Sequence, residues 1–232
     1  MQTTSDLYKA ILRNPNHEKE IKVNISGVDY GMGKIISCST SGGIFSTPGI
    51  GNCASREIDL EIRQPGEIPR QAEIQVFVRL VYGDQASEWI PKGVFFFSTR
   101  KTDKATGIMT VKGYDAMLKT EQTWLTPDYD AANWPMPQAD AVSDIAARIG
   151  VEVDGRTVLS TDFPVAYPIN ENGDLTMREV LGYIAASNAG NWIITDEGKL
   201  LLIGYGDVPN ETSYLIDEHG DAIAFGEVRL VV

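Results

Sequence analysis

The chain is poor in the residues that do chemistry. Its 232 residues include two histidines and two cysteines. His17 and His219 each sit in a charged, turn-like stretch. Neither has the marked partner that a two-histidine metal site or a Ser-His-Asp triad requires. Cys38 and Cys53 are too few for a disulfide scaffold and show no metal-ligand spacing; they flank a glycine-rich loop and read as buried free thiols. Long apolar runs are missing as well, none reaching the ~20 residues of a membrane span. The N-terminal MQTTSDLYKAILRNPN has no basic region followed by an apolar core, so it does not read as a secretion signal. These features point to a protein made and kept in a cytoplasm, or exported without a signal.

Positive charge is scarce too. Lys and Arg number 20 against 32 Asp and Glu, a net charge of −12. A duplex-binding protein needs clustered cations to displace counterions, and this chain instead repels polyanions at long range. Solubility is the plainer use of the charge.

Short polar motifs fail in the same way. Gly31-Met32-Gly33-Lys34 lacks the spacing of a phosphate loop and reads as a turn. Asn170 to Asp174 has calcium-type side chains without the spacing or closing glutamate, and Asp217 to Asp221 reads as a hairpin turn. Asp59 and Glu61 alternate with Ile58, Leu60 and Ile62, which makes them the wet face of a strand rather than a catalytic pair. No catalytic residue, metal ligand or cofactor site is expected.

What the chain does have is alternation. Glu20 to Ser26, Gly33 to Ser39, Glu57 to Ile62 and Glu73 to Tyr82 read as strands, with Gly27 to Tyr30 a turn and Thr40 to Asn52 a glycine-rich loop. The run Val94 to Phe97 has no polar alternation, so both of its faces should be covered. Asp6 to Arg13 is a short amphipathic helix capped by Thr4 or Ser5, with Leu7, Ala10 and Ile11 on one face. After the strand at Gly107 to Gly113 the period changes. Tyr114, Met117, Leu118, Trp124 and Leu125 share one helical face, which predicts a helix ending at Thr126-Pro127.

Past that pivot, Val142, Ile145, Ala146 and Ile149 mark a helix from Asp140 to Ile149 with Gly150 as its cap. Thr176 to Glu179 is a capping box that opens a second helix, predicted to end at Gly190. A hairpin follows, Trp192 to Thr195 and Lys199 to Ile203 around Asp196-Glu197-Gly198, and Ala222 to Val232 reads as one open-ended strand. The expected fold class is α+β and β-rich. An antiparallel β-barrel-like domain over 1–125 ends in a helix; a smaller α+β domain of two helices plus hairpin covers 126–205. Residues 206–232 form a strand segment that returns to the barrel or continues in a longer parent chain.

The order of these segments resembles a known family. Glu73 to Val78, then Ser87-Glu88-Trp89-Ile90-Pro91-Lys92-Gly93-Val94-Phe95-Phe96, then Val111-Lys112-Gly113-Tyr114-Asp115, are similar to the N-terminal barrel of baseplate hub proteins from phage and prophage tails. Thr176 to Leu181 through Gly190-Asn191-Trp192 to Asp196-Glu197-Gly198-Lys199-Leu200 resembles the helix and hairpin of the hub's inserted domain. The resemblance implies a non-enzymatic virion structural protein. It would be a homotrimeric ring between tail tube and tail tip, in contact with other tail and baseplate proteins, assembled in the host cytoplasm and free of cofactors. Family members usually continue well beyond this length, which implies a chain cut from a longer one. The rival classes are a tail-associated cell-wall hydrolase fragment and a carbohydrate-binding module, the latter suggested by Trp89, Trp124, Trp134 and Trp192. Ile44, Phe45 and Ile50, apolar in a glycine-rich loop, are expected to cover a neighbouring subunit, and Arg79 and Arg100 to lie at subunit contacts.

Limited proteolysis should cut first within Thr126 to Gln138 or Thr40 to Asn52. Early cleavage inside Glu73 to Tyr82 would contradict the division.

Overall fold

In the computed structural model, residues 4–42, 49–63, 65–69, 72–124, 134–166, 169–170, 173–204, 224–225 and 228–229 are described. Helix α1 (Asp6–Leu12) is capped by the Ser5 side chain and buries only Ile11 of the expected face. An antiparallel sheet follows, built from β1 (Glu18–Ile25), β2 (Val28–Tyr30), β3 (Ile35–Gly42), β4 (Arg56–Arg63), β5 (Glu73–Tyr82), β6 (Gln85–Ala86), β7 (Ile90–Asp103) and β8 (Ile108–Tyr114). The strands pair in the order β2-β1-β5-β7-β8-β4-β3, with β6 on β5.

The order forces curvature. β2 and β3 lie at opposite ends of the sheet, six strand spacings apart, or roughly 29 Å if the sheet were flat. Yet only Gly31 to Lys34 join them, a connection that reaches at most roughly 17 Å. The sheet must therefore curl. Among the described residues no ladder pairs β2 with β3, so the expected barrel is an open, curled sheet here. Alternating residues fill the concave side: Val23, Ile25, Ile58, Leu60, Ile62, Ile74, Val76, Phe95 and Val111 form one core. The reading of Gly27 to Tyr30 as a turn is corrected: the turn is Ser26-Gly27, both at positive φ, and Val28 to Tyr30 is already strand.

The pivot helix also needs correcting. It is a 3-10 turn at Ala116–Glu121, not a helix from Tyr114 to Leu125. The Asp115 carboxylate accepts the Met117 N–H at 3.1 Å, and the Thr120 hydroxyl donates to the Met117 carbonyl at 2.6 Å. The backbone then extends and pairs elsewhere: Met177 N–H donates to the Gln122 carbonyl and Trp124 N–H to that of Leu175. Met117 and Trp124 remain buried, Leu118 is exposed, and Leu125 lies outside the described residues.

The second core is formed by α2 (Gln138–Ile149), α3 (Met177–Ser187), β11 (Gly190–Ile194) and β12 (Leu200–Gly204), with the short pair β9 (Ile169–Asn170) and β10 (Gly173–Asp174) between the helices in the chain. Both expected caps of α2 and α3 are present, Gly150 at φ 76° and the reciprocal Thr176–Glu179 box. Helix α3 ends at Ser187, with Asn188 as its cap, rather than at Gly190. Gly190 is instead the first residue of β11, where an added Cβ would lie 2.7 Å from the Ile203 carbonyl oxygen. β7 serves both cores, Phe95 in the first and Phe96 against the second, which accounts for the unbroken apolar run. Toward the C-terminus, β13 (Ala224–Phe225) and β14 (Val228–Arg229) pair antiparallel, which a single strand over Ala222 to Val232 does not do; the other residues of that expected strand lie outside the described residues.

Gly113 tests the closeness of β8 to its neighbours. A Cβ there would stand 2.7 Å from the Phe96 carbonyl oxygen and 3.0 Å from Ile58 Cγ2. Gly113→Ala should cost roughly 1–3 kcal/mol of stability by urea denaturation, and an unchanged midpoint would contradict this packing.

Candidate functional site, the seam between two cores

The two cores meet along residues 49–56, where the chain enters β4. This segment lies parallel to β11: Gly51 N–H donates to the Gly190 carbonyl, Trp192 N–H to Asn52, and Ala54 N–H to Trp192. Buried Asn191 brackets it, its Oδ1 accepting the Asn52 N–H at 2.8 Å and its Nδ2 donating to the Gly49 carbonyl at 2.9 Å. Two glycines permit the approach, since a Cβ on Gly182 would come within 2.9 Å of the Gly51 carbonyl oxygen. Arg178 Nη1 donates to the Cys53 carbonyl at 2.7 Å. On the far side of the hairpin, Leu200 bonds residues 152 and 154, so both edges of β11–β12 are covered here.

Arg56 closes the seam. Its Nη1 donates to Asp196 Oδ1 at 2.5 Å, its Nη2 to the Thr195 carbonyl at 3.0 Å, and its Nε stands 3.6 Å from Asp115 Oδ2. The guanidinium also lies over the Phe95 ring at 5.7 Å. Asp115 is fully enclosed and accepts from Ser55 Oγ and from the N–H groups of Arg56 and Met117. Burial raises its pKa above the ordinary carboxylate value, against the pull of those donors and of the Arg56 charge.

Beside the seam is an open cleft of about 840 Å³ whose walls include Trp89, Pro91, Arg156, Thr195, Asp196 and Ile203. Most of its charges are already matched. Arg156 forks onto Asp154 with two 2.8 Å bonds, holding that carboxyl down at about 2, and Lys199 reaches Glu152 at 3.1 Å. These ion pairs tie neighbouring segments of the cleft wall together. Burial pushes the Cys53 thiol up to about 12 and the Cys38 thiol to about 11, so neither is a thiolate at neutral pH. Among the described residues no group of three or more His, Cys, Asp or Glu is placed to hold a metal ion, and no helix is long and apolar enough to cross a membrane. His17 holds the turn after α1, with Nδ1 2.6 Å from the Asn14 carbonyl oxygen. His219 lies outside the described residues.

The sequence-predicted interface residues are dispersed. Ile50 is exposed at the start of the seam segment. Arg79 bonds Glu20 at 2.7 Å and lies over the Trp89 ring, while Arg100 donates to the Ile68 carbonyl. Arg79 is beside the Val78–Ile90 end of the β5–β7 ladder and Arg100 beyond its Glu73–Phe96 end, so these two are not brought together. Ile44 and Phe45 lie outside the described residues. Trp124 and Trp192 are fully buried, with indole N–H groups donating to Asp144 and Leu181, and Trp134 meets Trp124 edge-on at 5.4 Å. They do not form a sugar-binding groove. Sequence reasoning missed Arg56, Asp115 and Asn191; the only local signal was a lone acidic residue, Asp115, followed by the apolar Ala116 and Met117.

This curled sheet with a helix-and-hairpin unit is a fold found in phage and prophage tail proteins. It is shared with the 43 kDa tail protein of prophage MuSo2 from Shewanella oneidensis, at TM-score 0.51 and 12% identity over 90% of this chain and 62% of that one. It is shared too with the tail protein from Neisseria meningitidis MC58, at TM-score 0.53 and 16% identity over 89% of this chain and 58% of that one. The chain therefore spans about six-tenths of the length of these two structures. No protein-family model and no curated protein matches it.

Arg56→Met should leave Asp115 enclosed without its cation and cost about 3 kcal/mol by urea denaturation. A loss below about 1 kcal/mol would show that the hydrogen bonds to Asp115 suffice alone.

Proposed function

We propose that this chain is a structural component of a phage or prophage tail, a baseplate hub that forms a homotrimeric ring between tail tube and tail tip. The observation that carries the reading is the fold shared over about 90% of the chain with two tail proteins. The seam adds support, because its polar groups are spent on holding two cores together rather than on a reaction. On this reading the chain acts without enzymatic activity or cofactor and resides in the virion after assembly in the host cytoplasm. It divides near residue 125 into a sheet unit and a helix-and-hairpin unit, with 206–232 as a separate C-terminal segment. Ile44, Phe45 and Ile50 cover a neighbouring subunit.

Charge fits a ring that conducts DNA. Three chains of −12 carry −36, and an acidic wall avoids the counterion-release binding that Lys and Arg would give. Its repulsion acts over a Debye length of roughly 8 Å at physiological salt. Glu57, Asp59 and Glu61 line the wet face of β4, with Asp59 paired to Lys112 at 3.4 Å. These acidic faces are shared between lumen and outer surface.

Light scattering on the full chain should give a trimer mass, and electron microscopy a ring with an axial opening poor in lysine and arginine. Ile44→Asp combined with Phe45→Asp should impair that assembly while leaving the melting temperature nearly unchanged. A monomer at all concentrations, an assembly without an opening, or a bore lined chiefly by basic residues would overturn the reading.

A further inference from the structure

We propose that the seam is a latch: residues 49–55 part from β11 while both cores stay folded, and the cores swing about the junction between β8 and the 3-10 turn. The latch is a property of the single chain and does not rest on the ring reading.

Gly42 pairs with Arg56, so residues 49–55 are the later part of the β3–β4 loop and are anchored by the chain to the first core. They join the second core through hydrogen bonds. The Gly51 and Ala54 N–H groups and the Asn52 carbonyl bond β11, Asn191 brackets the segment, and Arg178 holds the Cys53 carbonyl. Only Cys53 of these residues is buried, so little apolar surface returns to water when the segment leaves. Where Gly51 approaches α3 the facing residue is Gly182, so backbone meets backbone. Each hydrogen bond is worth little net, since water replaces the lost partner.

Two buried donors at the seam lack a hydrogen bond even when it is closed. Arg56 Nε and Arg178 Nε face Asp115 and Glu121 only as ion pairs, at 3.6 and 2.6 Å. Arg56 follows the segment and Arg178 grips its middle. Water admitted by opening satisfies both donors and hydrates the enclosed Asp115 carboxylate. The cleft beside the seam reaches Arg56, Thr195 and Asp196, which gives that water a way in.

The pivot is built differently. At Asp115 the chain passes from β8 into the 3-10 turn. Beside it Phe96 pairs with Tyr114 and packs against the second core, with Lys119 Nζ 3.4 Å from the centre of its ring. Covalent continuity and an apolar ring hold this part. The hairpin turn is held by the Arg56–Asp196 and Lys92–Asp196 ion pairs, and the segment by hydrogen bonds. The contrast places the pivot at residues 114–116 and the release at residues 49–54.

Native-state hydrogen exchange on the wild-type full chain, resolved at single amides over a series of low urea concentrations, reads the latch. Backbone direction alternates along β11, so Trp192 faces the segment while Asn191 and Ile193 face β12. The amides of Gly51, Ala54 and Trp192 should exchange about tenfold or more faster than those of Asn191, Ile193, β5 and α3. Their urea dependence should be weak, because little surface is exposed. Asn191→Leu removes both arms of the bracket and should speed exchange at Gly51 and Ala54 about tenfold, with the α3 amides unchanged. Cys53 supplies a readout that leaves the seam intact. In Cys38→Ser it is the remaining thiol, and its reaction with an aromatic disulfide reagent should keep pace with exchange at Ala54 rather than with global unfolding. The wild-type pattern and this labelling rate decide the matter if Asn191→Leu does not fold. Protection at Gly51 and Ala54 equal to that of β5, loss of it together with Asn191, Ile193 and α3, or labelling of Cys53 only on global unfolding overturns the latch.

Discussion

The position of the second core against the sheet depends on one arginine. Arg56 leaves the seam as the first residue of β4, and its guanidinium reaches both the enclosed Asp115 and Asp196 in the hairpin turn. A charge in that setting is tolerated only when its donors and the opposing acceptors are used up. Here Nη1 and Nη2 bond Asp196 and Thr195, and the Asp115 carboxylate is satisfied by Ser55 and two backbone N–H groups, while the buried Arg56 Nε makes no hydrogen bond and faces Asp115 only as an ion pair at 3.6 Å. Moving either core would strand one of these groups, so the polar network fixes the register of the seam while Trp192 and Phe96 supply its apolar area.

A second constraint is geometric. The short Gly31 to Lys34 connection ties the two ends of the pairing order together, and curvature follows from chain length before any side chain is considered. That curvature gives the sheet a concave side deep enough to enclose Ile58, Leu60 and Ile62 completely. It also leaves β3 as a terminal strand whose outer groups no described element reaches. Among the described residues, the fold thus closes its cores and leaves one long edge without a paired strand.

How much of this the sequence carried depends on the distance over which each feature is decided. Strands β4 and β5 were legible because alternation over eight to ten residues is a local signal. The capping box of α3 and Gly150 after α2 were legible for the same reason. β2 was not, since three residues are too few to show a period. The helix foreseen after Tyr114 failed because its apolar spacing, though real, is satisfied differently: Met117 sits in a 3-10 turn and Trp124 in an extended segment paired with Leu175. The end of α3 was displaced because Ala189 takes a positive φ of 49° after Asn188, leaving Gly190 for the close strand pairing it alone permits. The seam lay beyond any local pattern, as Arg56 and Thr195 are 139 positions apart.

That separation has a consequence for synthesis. A ribosome adds roughly 5–20 residues per second, so the segment around Asn52 waits about 7–28 seconds for Asn191 to be made, 139 residues later. During that interval the curled sheet can form, but Asp115 lacks Asp196's arginine-mediated tie and the buried face of Cys53 has no strand beside it. The nascent chain carries an unfinished flank throughout that interval, and its completion is deferred until the β11–β12 hairpin emerges from the exit tunnel.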